Sequence, residues 1–152
     1  MKKNLSPESF CIRTKEFNVI SCSPENLFKV KGNKIVTSPI AGTVSRKKIK
    51  STKQARQFFE NNQKEDKEHN MIVDLERNDL SRITKPSSVN IQKLKFVQKY
   101  QYIYHNVSDI SGTLHDKVKL SQIVKAMMPG GSVIGCPKIC LLYTSPSPRD
   151  GR

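Results

Sequence analysis

Between Ser51 and Pro86 the chain contains neither proline nor glycine, and that uninterrupted run constrains the fold more than any other feature. Ser51 or Thr52 can supply a capping hydroxyl and Pro86 a stop, so the run reads as helical. Within it Glu68, Ile72, Leu75 and Asp79 fall at i, i+4, i+7 and i+11, on one helical face. An acidic residue at each end of an apolar stripe is expected to turn its carboxylate inward or into a cleft.

The flanks read as strands. Phe17 to Cys22 is rich in strand formers, and Leu27 to Lys31 and Lys34 to Thr37 flank Gly32-Asn33, a hairpin turn. Pro39-Ile40-Ala41-Gly42-Thr43 reads as a loop whose glycine allows a close backbone approach. After Pro86, Val89 to Ile91 and Phe96 to Ile110 read as extended, and Gly112 ends that run. Alternation puts Tyr100, Tyr102 and Tyr104 on one face and Ile103, His105 and Val107 on the other. Leu120 to Met128 has helical spacing and stops at Pro129-Gly130-Gly131-Ser132. The order predicts a mixed α/β (α+β) fold.

At 152 residues, 36% hydrophobic and 26% charged, the chain is expected to be a soluble single domain with one core. No apolar run approaches the ~20 residues of a membrane span, and the amino terminus lacks the apolar stretch of a secretory signal. Cys11, Cys22, Cys136 and Cys140 form no regular framework, which implies a reducing, cytoplasmic setting. The net charge of +14 raises a basic nucleic-acid-binding module as an alternative. Against it, the cations are spread along the chain, and the densest run, Arg46 to Lys50, lacks interleaved aromatics for base stacking.

The stretch from Cys140 to Asp150 departs from everything before it, with no period of 2 or 3.6 and a burst of Pro and Ser. It resembles one reading frame of a transposase adapter used in sequencing libraries, CLLYTSPSPRD. The expectation is a partial catalytic domain over 1–139 and a non-native tail over 140–152. On that reading Cys136 and Cys140 are not a metal pair.

Taken singly, the polar candidates have ordinary explanations. Glu68 is by default a solvated helix carboxylate, His105 a satisfied strand histidine, Gly130-Gly131-Ser132 a tight turn and Lys138 a surface charge. A Walker-type phosphate loop is excluded, because Pro137 stands where the helix would have to start.

Together they resemble one family. Ser23-Pro24-Glu25, Pro39-Ile40-Ala41-Gly42-Thr43, the string from Glu68 to Leu80 (EHNMIVDLERNDL), His105-Asn106-Val107-Ser108 and Pro129 to Lys138 (PGGSVIGCPK) occur in the order and approximate spacing of the chorismate-binding enzymes. The resemblance covers Asn4 to Ile139. It implies large antiparallel sheets packed with helices, cut before the last strands, and chorismate as substrate with Mg2+ as cofactor. Glu68 matches the family's first metal ligand, Gly42 and Thr43 a substrate-contacting pair, and His105 the histidine beside the substrate ring, suited to proton transfer. The family's second metal-binding glutamate and its remaining substrate-binding residues would lie beyond Lys138.

The resemblance further implies an aminating synthase that takes ammonia from a glutamine amidotransferase subunit or domain. Isochorismate or salicylate synthesis, which uses water, is a more distant alternative. Ala41 is the residue expected of anthranilate synthases, whereas aminodeoxychorismate synthases usually carry a nucleophilic lysine there. Pro129 to Ser132 resembles the aminodeoxychorismate enzymes more, and Glu8-Ser9 stands in place of the aromatic-methionine pair by which anthranilate synthases hold feedback tryptophan. The expected product is therefore aminodeoxychorismate, en route to para-aminobenzoate, with anthranilate the alternative.

Overall fold

The computed structural model describes residues 8–23, 25–134 and 138. The tail from Cys140, Pro24 and the Gly135 to Pro137 part of the glycine-rich motif lie outside them.

A five-stranded antiparallel sheet is built on its longest strand, β7 (Ile103–Thr113), with β3 (Lys29–Lys31), β4 (Lys34–Thr37), β5 (Ile40–Ser45) and β6 (Asn90–Lys99). Strand β4 pairs residues 110–113 of β7, and β5 pairs residues 103–107. The two lie end to end along one edge of β7, interrupted at Ser38-Pro39, where proline has no N–H for the ladder. Strand β6 takes the other edge. A separate hairpin joins β1 (Glu8–Arg13) to β2 (Asn18–Ser23).

The expected hairpin across Gly32-Asn33 forms, with Gly32 at φ 61°. The Pro39–Thr43 loop is instead mostly strand, since Ile40 onward pairs with β7. The extended run from Phe96 to Ile110 is broken at Tyr100–Tyr102, where the Tyr100 N–H closes onto the Ile103 carbonyl. Tyr100 therefore does not share a face with Tyr104; its ring stacks edge-on against His105, at 5.2 Å between centroids. Gly112 does not end the strand, which continues to Thr113.

The proline-free run forms two helices, α1 (Thr52–Asn61) and α2 (Gln63–Ser81). Ser51 caps α1 by accepting the Gln54 N–H, and Asn62 caps α2 by accepting the Glu65 N–H. Glu65 and Asp66 in the first turn of α2 complement its dipole. A short helix α3 (Leu120–Met127) and the single turn α4 (Gly131–Ile134) follow.

The described core lies between helices and sheet. One cluster joins Ile35, Val73, Leu80, Ile83, Ile110, Ile123 and Met127; the other joins Val44, Ala55, Phe59 and Tyr104. The opposite face of the sheet holds a cavity of about 610 Å³, lined in part by Glu25, Ile40, Tyr100, Val107 and Asp109. No helix among the described residues is long and apolar enough to cross a membrane.

Candidate functional site

Ile40 pairs with Val107 and Thr43 with His105, so three steps along β5 match two along β7. The extra residue is a bulge at Ala41-Gly42, and Gly42 takes φ 103°, a conformation that favours glycine. Because side chains alternate along a strand, the bulge turns Thr43 onto the face shared by His105 and Ile40. Without it the threonine would point toward the helices. The outcome is a contact of 2.7 Å between Thr43 Oγ1 and His105 Nδ1. Burial holds the His105 imidazole below its ordinary pKa, and a hydrogen bond with the Gly42 backbone partly offsets that.

Three of the four expected site residues are thus assembled by one feature of the sheet. Gly42 also bears out the expected close approach: a Cβ there would lie 2.9 Å from Glu65 Oε2 and 3.1 Å from the Phe59 ring. Thr43 is exposed and His105 is 7% exposed, so the hydroxyl is the accessible member of the pair.

Glu68 is placed differently from expectation. Ile72, Leu75 and Asp79 are buried, but Glu68 is exposed. The buried face of α2 is centred on His69, Ile72, Val73, Glu76, Asp79 and Leu80, with Glu68 at its edge. Leu75, on the same edge, is covered by the glycine-rich turn, where a Cβ on Gly131 would lie 2.7 Å from its Cδ2. Glu68 stands two turns upstream, about 10 Å along the axis, beyond that cover. One turn before it, Glu65 points the other carboxylate of this helix edge at Gly42, and its Oε2 is buried without a hydrogen-bond partner among the described residues. Sequence reading missed Glu65, although the Asn62-x-x-Glu65 start of a helix signals its position.

No group of three metal-ligating side chains occurs among the described residues. Magnesium does not require one, since it commonly takes one or two carboxylates and completes its shell with water and substrate oxygens. The exposed Glu68 carboxylate fits such a single-carboxylate contribution, whereas the Glu65 oxygen is buried against Gly42.

The remaining motifs meet behind this region. Glu25 accepts the Ile40 N–H at 2.9 Å and the Ser132 hydroxyl at 3.3 Å, linking the start of β5 to the glycine-rich turn. Burial pushes its carboxyl above the ordinary value, against those two hydrogen bonds, and it lines the cavity. Such a carboxyl is a functional candidate that sequence reasoning passed over. Glu76 accepts the Gly131 N–H at 3.0 Å. Lys138 is buried, not a surface charge: its ammonium lies 2.7 Å from Asp79 Oδ2 and donates to the carbonyls of Ala126 and Met127. Helix α2 thereby anchors both ends of the glycine-rich motif.

Comparison with known proteins agrees with these motifs. The family model described as chorismate binding enzyme matches residues 1–143. Among curated relatives, an anthranilate synthase component I-like protein of Synechocystis is 43% identical over 91% of this chain and 29% of its own length. Aminodeoxychorismate synthase component 1 of Bacillus subtilis is 40% identical over 90% of this chain and 29% of its own. The crystal structure of anthranilate synthase component I from Streptococcus pneumoniae superposes with a TM-score of 0.78 at 32% identity, covering 93% of this chain and 31% of that one. The chain spans less than a third of the length of these proteins. With its motifs brought together as described and the family model matched across nearly its whole length, the chain belongs to the chorismate binding enzyme family.

Proposed function

We propose that this chain carries part of the active site of a chorismate-utilising, aminating synthase, with anthranilate as product. The observation that carries the reading is the Thr43–His105 pair, an accessible hydroxyl hydrogen-bonded to a largely buried imidazole. Such a pair orients a ring nitrogen, and burial, by lowering the imidazole's pKa, favours the neutral form that can take a proton. Ala41 in place of a lysine favours ammonia attacking the ring directly, without a covalent amine on the enzyme. Similarity to anthranilate synthases among the curated relatives and to one solved anthranilate synthase structure supports the same product.

The Gly42 backbone and the Thr43 hydroxyl hold a carboxylate of chorismate, and His105 assists, by proton transfer, the departure of the ring hydroxyl as water or the elimination of pyruvate. Glu68 would supply a carboxylate to magnesium, which when bound would act as a Lewis acid toward the substrate's oxygens. Ammonia comes from a glutamine amidotransferase subunit or domain. Residues 1–139 are the catalytic-domain portion and 140–152 a non-native tail. Aminodeoxychorismate is the second reading, favoured by the Pro129–Ser132 string and by the Bacillus subtilis relative.

The test follows chorismate consumption by the full-length gene product with magnesium and ammonium, in the unaltered protein and in His105→Ala. Consumption that needs magnesium and falls at least about 100-fold in the variant, the usual weight of general acid–base catalysis, supports the reading. Equal consumption by both proteins returns His105 to a packing role.

A further inference from the structure

The bulge that assembles the site is held from behind by a residue with no role in the reading above. His69 is fully buried. Its Nδ1 lies 3.2 Å from the Ala41 carbonyl and its Nε2 2.6 Å from Ser108 Oγ, while the Lys95 N–H reaches the same hydroxyl at 2.9 Å. Proton bookkeeping admits one arrangement of a neutral ring. A carbonyl only accepts, so Nδ1 carries the hydrogen. Nε2 is then a lone pair, and Ser108 donates to it. The hydroxyl's own lone pair takes the Lys95 N–H, and each donor in the chain meets an acceptor.

What this imidazole touches is not ordinary strand. Ala41 is in the β5 bulge. Lys95 is in a second bulge, between Lys93 and Phe96 of β6, at φ 48°. Ser108 lies on β7 between these two irregularities, three residues past His105. A bulge leaves ladder groups unpaired, and buried polar groups left unpaired cost about 1–3 kcal/mol each. His69 and Ser108 supply the missing partners of both.

We propose that His69 is the positioning residue of the Ala41–Thr43 bulge: its Nδ1–H bond to the Ala41 carbonyl fixes where the Gly42 backbone and the Thr43 hydroxyl are presented. The proposal rests on the reading of Gly42 and Thr43 as substrate-contacting groups for its functional meaning, but not for its geometry. It also gives the Glu68-His69 dipeptide a division of labour, one residue facing solvent and the next holding the strand beneath the site.

Two measurements on the full chain test it, and neither needs turnover. The imidazole 15N spectrum of His69 should show the Nδ1–H tautomer; an Nε2–H tautomer overturns the proposal. The second compares three substitutions by amide hydrogen exchange. In His69→Asn the side-chain amide occupies the Nδ1 position and can still donate to Ala41. In His69→Gln it reaches the Nε2 position and keeps only the Ser108 side, and His69→Leu keeps neither. Protection over residues 41–43 should survive in the Asn variant and fall at least about tenfold in the other two. Equal protection in all three makes His69 a space-filler and overturns the proposal, even if the enzyme consumes chorismate. The expected tautomer and protection pattern without chorismate consumption would sink the proposed function and leave the positioning role standing. Should a variant fail to fold, the tautomer in the unaltered chain still decides.

Discussion

Thr43 and His105 meet through their side chains, Oγ1 to Nδ1 at 2.7 Å, because one extra residue in β5 turns the threonine onto the histidine's face of the sheet. Thr43→Val keeps the shape and removes the hydroxyl. The largely buried ring then loses a partner, so stability should fall by about 1 kcal/mol. Turnover of chorismate should fall more than that implies, because the ring nitrogen is no longer oriented. Urea unfolding alongside steady-state kinetics checks both; a stability loss with unchanged kcat would contradict the orienting role.

Gly42→Ala meets two obstacles at once, a φ of 103° and a Cβ 2.9 Å from Glu65 Oε2. Strain at positive φ together with overpacking should cost about 2–4 kcal/mol. A change in thermal unfolding equivalent to less than about 0.5 kcal/mol, the range of neutral surface substitutions, would show that the bulge is not as rigid as described.

Glu68→Gln should behave oppositely. The side chain is exposed, so stability should stay within about 0.5 kcal/mol, while the magnesium concentration needed for half-maximal activity rises at least about tenfold, as loss of a metal-binding charge implies. Unchanged magnesium dependence would contradict the proposed metal-binding role of Glu68.

Glu76 gives a pH signature. Thr37 has a single hydroxyl proton, and its bond to the Leu27 carbonyl at 3.0 Å is shorter than its 3.4 Å contact with Glu76 Oε2. A protonated Glu76 satisfies that geometry by donating to Thr37 while accepting the Gly131 N–H. Burial accordingly raises its carboxyl above the ordinary 4.5, with Asp79 adding to the effect against the Gly131 bond. A raised folded-state pKa stabilises fully below the unfolded value and loses that contribution as pH rises through the folded one. Glu76→Gln mimics the protonated acid at every pH. The variant's stability relative to the unaltered chain should therefore increase as pH rises above 4.5, measured by urea unfolding at several pH values. A difference independent of pH would contradict it.

Much of this was legible in the sequence, and the failures have physical causes. The Ser51 cap, the Gly32-Asn33 turn and the α3 stop at Pro129 are local chemistry, and local chemistry is what a sequence displays. The break at Asn62 was also local but hidden by the absence of proline and glycine. Periodicity placed Glu68 on the right helix edge, yet burial along that edge depends on the glycine-rich turn, distant in sequence, which covers Leu75 and stops short of Glu68. The β5 bulge was invisible because register is a property of two strands; Gly42 hinted at it only as a point of close approach. The separation of Tyr100 from Tyr104 follows from a turn that three tyrosines in alternation disguise.

The reaction proposed for this chain is the amination of chorismate at a site built on the Thr43–His105 pair. It is tested most directly by supplying the full-length gene product with chorismate, magnesium and 15N-ammonium and identifying the aromatic product by mass. The expected products are 15N-anthranilate and an equivalent of pyruvate, without any added lyase. Para-aminobenzoate appearing only when an aminodeoxychorismate lyase is added would contradict the product assignment, and chorismate left unconsumed would contradict the amination itself.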